Sequence, residues 1–393
     1  MVPIEPRKAA ANGALGSGLN GLKIEIQDIA MSDRQWMFRA LELAERGQGA
    51  VEPNPMVGCV LVQADQVIAE GWHRRFGDSH AEVDALQRCS VDPKGATAYV
   101  TLEPCCHIGK QPPCTQSLIR AGIKRVVVAM GDPFADVDGG GVSQLEAAGI
   151  KVEVGLLEDR ARYLNAPYLK LVQRGQPWLI AKWAATMDGK IATSQRDSRW
   201  ISNASSRAIV HQIRGRCDAI VVGAGTAIAD DPLLTARPPG LRTPVRIVVS
   251  SDARLGLDSH LVNTLNEAPV WVVCGPDADA AHCNQLRDRG VDVVQFEQTD
   301  ANRRLTDFMD YMGKARMTNV LIEGGSQLLG SFFDLRHVDE VHAFFAPKLA
   351  GGTAAPTAIG GAGVPTMAQV RHLADPILRE VNGDLYWQGR IRY

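Results

Sequence analysis

The sequence predicts an α/β protein built from two domains, and three observations lead to that expectation. Short β-branched runs alternate with segments of helical period in both halves of the chain, which is the pattern of layered α/β sheets. A length of 393 residues exceeds one ordinary domain and suits two, each with its own core. Residues 173–177 (QRGQP) interrupt the pattern with turn formers, so we place the domain boundary there.

Composition and charge exclude several classes of protein. The 42 Lys and Arg residues nearly balance the 44 Asp and Glu residues, which argues against a generally basic surface for nucleic acid. No apolar run is long enough to cross a bilayer, so we expect no membrane partner. The eight cysteines are irregularly spaced, which predicts reduced thiols and a cytoplasmic location. Formation of a homo-oligomer is left open.

The chain divides into three parts. Residues 1–30 are rich in Ala, Gly and Asn, carry no strong apolar period, and are expected to form a disordered extension. The first domain is assigned to residues 31–175, and it should open with a helix that Ser32 caps and Gly47 ends. The second domain is assigned to residues 178–393.

Hydrophobic periodicity predicts the elements within each domain. The first domain should contain a hairpin with its turn near Asp65, then a helix that opens at His80, then strands and helices in alternation. Its predicted strands are 57–62, 67–69, 97–102 and 125–129, with helical residues at 118–121 and 145–148. The predicted strands of the second domain are 178–181, 218–222, 245–249, 270–273 and 320–322.

One His, one Glu and two Cys residues form a candidate zinc site in the first domain. His80 and Cys105 both lie at strand-to-helix transitions, where the sites of α/β sheets are found, and Cys114 supplies a second thiolate. Three N and S ligands leave the fourth tetrahedral position to water, and Glu82 is placed to shuttle protons as the glutamate of zinc deaminases does. Taken singly, each cysteine could be a buried thiol and His80 a helix-start histidine. The ordered set predicts a hydrolytic zinc site.

The spacing of the two thiolates departs from the usual deaminase signature, Pro-Cys-x-x-Cys. Eight residues separate Cys105 from Cys114, and the Gly and Pro residues among them allow the loop to fold back on a metal. Cys106 is then a spare thiol.

The second domain offers weaker signals for a nucleotide site. Residues 223–225 (GAG) follow a strand, but Ile228 stands where a dinucleotide fingerprint has its third glycine. Gly324 and Gly325 precede a helix start that would suit a phosphate, although taken alone they are more simply explained by turn packing.

Two further segments of the second domain are ambiguous. Residues 229–237 place two adjacent carboxylates and an Arg on one loop, which suits an acid beside a phosphate-binding cation and equally suits a solvated turn. Lys182 and residues 188–190 form either a strand end with a tight turn or a substrate cradle.

Both halves carry the motifs of one family. Those of the first half are residues 54–58 (NPMVG), 80–83 (HAEV), 101–105 (TLEPC) and 112–114 (PPC). Those of the second half are Lys182 with 187–190 (MDGK), 200–202 (WIS), 229–237, 323–325 (EGG) and 346–349 (APKL). On these motifs, in this order, the chain resembles the bifunctional deaminase/reductase family of riboflavin biosynthesis over nearly its whole length from Met31.

The resemblance implies a cytidine-deaminase-like α/β/α domain followed by a dihydrofolate-reductase-like α/β domain. It implies that His80, Cys105 and Cys114 bind Zn²⁺, and that Glu82 is the catalytic proton shuttle. The implied substrate contacts of this domain are Asn54, His73, His107 and Lys110. The implied reaction removes the 2-amino group from a small phosphoribosyl pyrimidine, 2,5-diamino-6-(5-phosphoribosylamino)pyrimidin-4(3H)-one.

The implied second reaction is an NADPH-dependent reduction of the ribosyl side chain, which gives 5-amino-6-(5-phosphoribitylamino)uracil. We expect Asp230 to protonate the sugar. The implied cofactor contacts are Ala184, Trp200, Thr226, Asp230, Ser251, Gly325, Ser326, Gln327, Leu328, Leu329, Gly330 and Ser331. The implied substrate contacts are Ser198, Arg214, Leu234, Arg237 and Glu323, with Arg214 and Arg237 as candidates for the phosphate.

The chain departs from the family at two positions near the zinc motif. Asp84 stands where the family commonly has a second His, and Cys106 where it commonly has Ser, but neither belongs to the zinc set. Two rival hypotheses remain. One is a nucleoside or nucleic-acid zinc deaminase fused to an accessory domain, which the long loop between the thiolates and the near-neutral charge disfavour. The other is a scaffold in which zinc only stabilises the fold.

Overall fold

The computed structural model describes residues 25–107, 112–134 and 137–393, and of residues 25–32 the backbone alone. Two sheets organise these residues: a five-stranded sheet before the boundary at residues 173–177 and a nine-stranded sheet after it. Among the helices of these ranges, none has both the length and the apolar content needed to cross a membrane.

The first domain is a mixed sheet with helices on both faces. Its strand order is β2-β1-β3-β4-β5, where β1 runs antiparallel to both neighbours and β3, β4 and β5 are parallel. The strands are β1 Gly58–Gln63, β2 Gln66–Trp72, β3 Thr97–Val100, β4 Arg125–Val128 and β5 Lys151–Val154. The helices are α1 Glu25–Glu45, α2 Ala81–Arg88, α3 Cys114–Arg120, α4 Gly140–Ala147, α5 Glu158–Leu164 and α6 Ala166–Arg174.

Two apolar clusters cover the two faces of this sheet. Met37 of α1, Ala161 of α5 and Leu169 of α6 pack on one face. Ala85 of α2 and Leu118 of α3 pack on the other. The predicted α/β/α layering is therefore confirmed, and α2 and α3 lie together on one face of the sheet.

The expected start of the first helix is wrong. Helix α1 begins at Glu25, so Ser32 lies inside the helix and does not cap it. Residues 25–30 include Glu, Gln and Ala, which favour helix, and they extend the helix upstream of the motif that suggested a cap. The rest of the predicted extension, residues 1–24, lies outside the described residues.

The second domain is built on a nine-stranded sheet of order β10-β9-β8-β7-β11-β6-β12-β14-β13. The strands are β6 Trp178–Thr186, β7 Ala219–Gly223, β8 Val245–Val249, β9 Val270–Cys274, β10 Asp292–Gln295, β11 Asn319–Glu323, β12 Val338–Ala346, β13 His372–Val381 and β14 Asp384–Arg392. The helices are α7 Ala204–Arg214, α8 Ala224–Asp230, α9 His260–Asn263, α10 Ala280–Asp288, α11 Ala301–Lys314 and α12 Ser326–Asp334. The first seven strands of this order, from β10 through β12, are all parallel to their neighbours. Strand β14 pairs antiparallel with β12, and β13 at the edge pairs antiparallel with β14.

The parallel strands of the second domain give its sheet two different edges. Strand β11 lies between β6 and β7, so the loops that follow these three strands share the carboxyl edge, where ligands of α/β sheets bind. The first domain contacts the opposite, amino edge. Lys170 of α6 donates to the carbonyl of His337 just before β12 (3.4 Å) and pairs with Asp339. A cavity of about 610 Å³ separates Pro53 of the first domain from Val245 at the start of β8.

Candidate active sites

Three donor atoms of the first domain converge on one point. His80 is the N-cap residue of α2, and Cys114 is the first residue of α3. The Nδ1 atom of His80 lies 3.4 Å from the Cys105 sulfur and 3.3 Å from the Cys114 sulfur. All three donor atoms lie within 4.8 Å of one another. The structure thus brings together the three predicted metal ligands at the starts of two helices.

The spacing of these donors fits a zinc ion. With Zn–S bonds of about 2.3 Å and Zn–N bonds of about 2.0 Å, a tetrahedral angle places the nitrogen and each sulfur about 3.5 Å apart. The distances of 3.4 and 3.3 Å are close to that value. Two sulfurs and one imidazole are also the donor types that zinc prefers.

The electrostatics of the cluster favour a thiolate at Cys105, while the hydrogen bond to Cys105 and burial raise the pKa of Cys114 well above its usual range. The hydrogen bond from the Cys114 thiol, together with that from His80, lowers the pKa of Cys105 to about 4 against the opposing effect of burial. The backbone N–H of Cys114 also donates to the Cys105 sulfur at 3.4 Å. A thiolate is the form of cysteine that binds metal.

Glu82 lies beside this cluster and is almost fully enclosed. This residue, the second of α2, is 3 % exposed. Burial, reinforced by the neighbouring Cys105 sulfur, raises the pKa of Glu82 to about 7. A carboxyl group of that pKa both accepts and releases a proton at neutral pH, as a proton shuttle must.

A fifth residue, Glu103, supports the ligand loop and was not predicted. Its buried carboxylate accepts hydrogen bonds from the backbone N–H groups of Gly141 (3.0 Å), Val142 (3.1 Å) and Gly139 (3.2 Å). The same carboxylate accepts from the N–H of Asp132 at 3.3 Å. Glu103 therefore ties the segment that leads into Cys105 to the start of α4, and only its place between Leu102 and Pro104 in the family motif could have singled it out.

Asn54 and His73 form a pair near the zinc cluster. The Nδ1 atom of His73 lies 3.1 Å from the carbonyl of Ser79 and must donate to it, since a carbonyl only accepts. Burial lowers the pKa of His73, so the ring is neutral and its Nε2 accepts from Nδ2 of Asn54 at 3.3 Å. The side-chain oxygen of Asn54 therefore remains available to accept a hydrogen bond from a ligand. The His73 and His80 rings are 5.5 Å apart, which places this pair next to the metal ligands.

The remaining predicted residues of this site are His107 and Lys110. The Nδ1 atom of His107 is buried, and no described residue gives it a hydrogen-bond partner, as expected of a group that meets a ligand. Its ring lies 6.1 Å from that of Phe134. Lys110 lies outside the described residues.

Asp84, the departure from the family pattern, takes part in a different interaction. Its carboxylate pairs with Arg74 and Arg88, each at 3.0 Å, and accepts from the backbone N–H of Trp72 at 3.1 Å. The residue therefore joins α2 to the segment around the end of β2 rather than joining the donor cluster.

In the second domain, Glu323 and Arg214 form a buried ion pair. The carboxylate of Glu323, at the end of β11, is held by two nitrogens of Arg214, one at 2.8 Å, and Arg214 also donates to the carbonyl of Thr235 at 3.1 Å. Although burial opposes it, the Arg214 charge holds the pKa of Glu323 at about 2. Lys182 of β6 lies 3.9 Å from Glu323, and burial lowers the pKa of this lysine.

The two arginines predicted for the phosphate are therefore not equivalent. Arg214 is neutralised by Glu323, whereas Arg237 is exposed and has no carboxylate partner among the described residues. Arg237 Nη1 donates to the Thr235 hydroxyl at 2.8 Å, and its backbone N–H donates to His211 Nδ1 at 3.2 Å. Leu234, on the same loop, is buried and holds a φ of 50°.

The Gly324–Gly325 turn lies against Thr226. Both glycines have positive φ (86° and 81°), and a Cβ on Gly325 would come within 3.4 Å of the Thr226 hydroxyl. The next two residues, the partly buried Ser326 and the exposed Gln327, are the first residues of α12. A glycine turn without side chains, followed by this nine-residue helix, suits the phosphates of a dinucleotide.

The other predicted cofactor contacts are spread around the carboxyl edge. Trp200 is 63 % exposed and has the Arg207 guanidinium 4.5 Å from its ring centre. Ser198 donates to Asp230 at 3.3 Å, and Ser251 accepts from Arg304 at 2.9 Å. Partly buried or core positions are held by Ala184 in β6 and by Leu328, Leu329, Gly330 and Ser331 in α12. Gly330 is occupied in packing, since a Cβ there would lie 2.2 Å from Gly360.

Comparison with known proteins matches both halves of the chain to described families. Residues 30–130 match the cytidine and deoxycytidylate deaminase zinc-binding region, and residues 177–377 match the RibD C-terminal domain. The riboflavin biosynthesis protein RibD of Actinobacillus pleuropneumoniae is 42 % identical over 339 residues, which cover 86 % of this chain and 90 % of that protein. The RibD protein of Escherichia coli strain K12 is 36 % identical, covering 88 % of this chain and 94 % of its own length. The chain belongs to the RibD family.

Solved RibD structures share the whole architecture. Form 1 of Acinetobacter baumannii RibD superposes with a TM-score of 0.81 at 35 % identity and covers 93 % of this chain and 100 % of its own. The Thermotoga maritima diaminohydroxyphosphoribosylaminopyrimidine deaminase/5-amino-6-(5-phosphoribosylamino)uracil reductase superposes at 0.79 with 32 % identity, with the same two coverages. As a RibD protein, this chain is a bifunctional deaminase and reductase of riboflavin biosynthesis, with a zinc-binding deaminase domain and an NADPH-dependent reductase domain.

Proposed function

We propose that the deaminase domain hydrolyses the 2-amino group of 2,5-diamino-6-(5-phosphoribosylamino)pyrimidin-4(3H)-one, and that the reductase domain then reduces the deaminated product. The observation that carries the proposal is the His80, Cys105 and Cys114 cluster with Glu82 buried beside it. We also propose that the two activities belong to residues 31–175 and 178–393, and that the substrates are small phosphoribosyl pyrimidines rather than nucleic acid.

His80, Cys105 and Cys114 would hold the zinc ion of the deaminase site. When bound, zinc acts as a Lewis acid that makes water nucleophilic at neutral pH. Glu82 takes a proton from the water and gives it to a ring nitrogen, then takes a second proton from the added hydroxyl group and gives it to the departing amino group, which its pKa of about 7 allows. The amide oxygen of Asn54 accepts from the edge of the pyrimidine, and His107 offers its buried Nδ1 to the ligand. We assign Lys110 to the substrate phosphate, on its charge and its place in the loop.

The reductase site is proposed at the carboxyl edge of the nine-stranded sheet. NADPH supplies the hydride that reduces C1′ of the opened sugar. The Gly324–Gly325 turn, Thr226, Ser326 and Gln327 would hold the cofactor, with Trp200, Ser251 and Ala184 at its borders. Arg237, exposed and without a carboxylate partner among the described residues, is assigned to the substrate phosphate.

Two groups compete for the role of acid in the reduction. Asp230 is our first assignment, and it accepts a hydrogen bond from Ser198 on the same loop cluster. Lys182 is the second assignment. Its ammonium is buried beside Glu323, and burial lowers its pKa, so it releases a proton more readily than an ordinary lysine does. Asp230→Asn and Lys182→Met, assayed for NADPH oxidation with deaminated substrate, separate them: the variant of the acid should lose kcat, and the other should chiefly change KM.

One incubation tests the proposed function. The diaminopyrimidine phosphate is supplied with and without NADPH, and the products are weighed by mass spectrometry. The mass change of deamination alone is expected without cofactor, and a further two hydrogens with it. Turnover of cytidine or of adenosine-bearing RNA in place of this substrate would favour the rival nucleoside or nucleic-acid deaminase.

The free buried thiols Cys59, Cys217, Cys274 and Cys283 support our assignment of the enzyme to the reducing cytoplasm. Formation of a homo-oligomer remains part of the proposal, and gel filtration with light scattering tests it.

A further inference from the structure

Arg242 of the reductase domain reaches into the deaminase domain. Its Nη1 donates to the backbone carbonyl of Glu52 at 3.1 Å and lies 3.9 Å from the Glu52 carboxylate. Glu52 is two residues before Asn54, so this contact is made with the segment that carries a proposed substrate contact. We define residues 49–55 as the Asn54 loop.

The other contacts of the Asn54 loop come from its own domain, and one of them is the N–H of Phe76, which donates to the carbonyl of Ala50 at 3.0 Å. The N–H of Gly49 donates to the Glu52 carboxylate at 3.0 Å, and the N–H of Asn54 donates to the carbonyl of Val51 at 2.9 Å. The second oxygen of Glu52 is buried, and no described residue hydrogen-bonds it. Arg242 therefore supplies the nearby positive charge for a buried carboxylate as well as a donor for a loop carbonyl.

Arg242 is itself fixed on the nine-stranded sheet. Its guanidinium pairs with Asp218, whose other carboxylate oxygen accepts from the backbone N–H groups of Thr318 (2.9 Å) and Asn319 (2.8 Å). Asp218 and Asn319 lie at the amino ends of β7 and β11. The contact on the loop thus comes from the rigid core of the other domain, and the planar fork of Arg suits two partners at once.

Hydrogen bonds inside the deaminase domain link the Asn54 loop to the residue before the metal ligand His80. Asn54 hydrogen-bonds His73, which donates to Ser79 directly before His80. Downstream of Asn54, Met56 is fixed by two hydrogen bonds to Asn165, at 2.8 and 2.9 Å. Upstream of Asn54, the N–H of Phe76 holds the carbonyl of Ala50 from within the domain, and Arg242 holds the carbonyl of Glu52 from the other domain.

We propose that Arg242 is a positioning residue of the deaminase reaction, which holds the Asn54 loop in the conformation that presents Asn54 and His73 to the pyrimidine. The inference rests on the proposed deaminase site and deepens it. It makes deamination depend on a residue of the reductase domain, although that residue touches neither substrate nor metal. It also gives a physical reason for the two domains to be joined in one chain.

The test compares full-length Arg242→Ala, Arg242→Lys and the control Arg287→Ala with the wild type. Arg287 is an exposed arginine of α10 that hydrogen-bonds only within its own helix among the described residues. In Arg242→Ala we expect the deaminase KM to rise about tenfold, the usual size for one lost hydrogen bond to a charged group, with a smaller change in kcat. Arg242→Lys should recover part of the loss, and NADPH oxidation with deaminated substrate should stay at the wild-type rate in every variant.

Backbone amide hydrogen exchange gives a readout that needs no turnover. Exchange at the amides of Val51, Glu52 and Asn54 should be faster in Arg242→Ala than in Arg287→Ala, while exchange in β1 stays the same. Equal KM and equal loop exchange in the two variants would overturn the proposal. So would a parallel loss of both activities with a lower Tm in both Arg242 variants, since that is the behaviour of a general scaffold residue. Failure of the wild type to deaminate the pyrimidine would instead reject the proposed function, and the exchange comparison would still decide the role of Arg242.

Discussion

The two proposed active sites of this chain are assembled in different ways. The proposed deaminase site takes its metal ligands and its proton shuttle from residues 80–114, at the starts of two helices on one face of a small sheet. The proposed reductase site draws on the ends of β6, β7, β8 and β11, which are far apart in sequence, and its strongest charges are already paired with each other. A site of the first kind is visible as a motif. A site of the second kind appears only when the strands are in register.

Removal of zinc should separate the two sites most sharply. Dialysis against a chelator, or the substitution Cys105→Ser, should abolish deamination, because two protein ligands do not make a catalytic zinc site. NADPH oxidation with deaminated substrate should be retained, since the reductase residues lie on the other sheet. Metal analysis and the two assays on the same sample measure this. Equal loss of both activities with the fold intact would contradict two separate sites.

Glu82→Gln should have the next largest effect. The variant keeps the size and polarity of the side chain but cannot carry a proton, so deaminase kcat should fall by about 10²–10⁴ with zinc content unchanged. Asp84→Asn is the matched control. It also removes a carboxylate from α2, but that carboxylate binds Arg74 and Arg88 and is not part of the donor cluster. Unchanged turnover in Glu82→Gln would exclude the proton-shuttle role.

Arg214→Ala should act through stability as well as through the reductase. Removing the arginine leaves Glu323 buried without its ion pair, a change that costs about 3–5 kcal/mol in the free energy of unfolding. Arg237→Ala, on the exposed loop, should leave the unfolding free energy nearly unchanged and raise the substrate KM. Urea unfolding of the two variants, beside steady-state kinetics, distinguishes the structural arginine from the binding one. If Arg237→Ala lowered the unfolding free energy more and Arg214→Ala chiefly raised the substrate KM, Arg214 would be assigned to the substrate phosphate instead.

Glu103→Gln should produce the smallest of these effects. The amide retains one acceptor oxygen, so part of the four N–H contacts to Gly141, Val142, Gly139 and Asp132 is lost and Cys105 is held less firmly. Loss of such outer support costs about 10–100-fold in metal affinity, which zinc competition with a chromophoric chelator measures. Wild-type affinity in the variant would show that the loop does not need Glu103.

The convergence of His80, Cys105 and Cys114, the hairpin and most strands could be predicted from sequence because each depends on neighbours within one or two elements. The turn after β1, for example, is built by Ala64 and Asp65 at positive φ, as a two-residue hairpin requires. The start of helix α1 was predicted wrongly because good helix formers upstream of Ser32 extend the helix past the local capping signal.

The pairing of Arg214 with Glu323 could not be predicted, since the two lie 109 positions apart and meet only through the insertion of β11 beside β7. The support of Cys105 by Glu103 was hidden for a similar reason: its partners are backbone N–H groups, which any sequence possesses. Strands β5, β10, β12, β13 and β14 were not identified, although β12 continues the parallel sheet beside β6. Such features belong to topology more than to residue type.

The first domain meets the amino edge of the nine-stranded sheet, while the proposed reductase site lies at the carboxyl edge, so the length of the strands lies between the docking face and that proposed site. We therefore expect that, within one chain, the deaminated product leaves into bulk solvent and is recaptured. Complete conversion should begin with a lag, whose length falls as enzyme concentration rises. The free intermediate should also be open to interception by excess of a separate reductase.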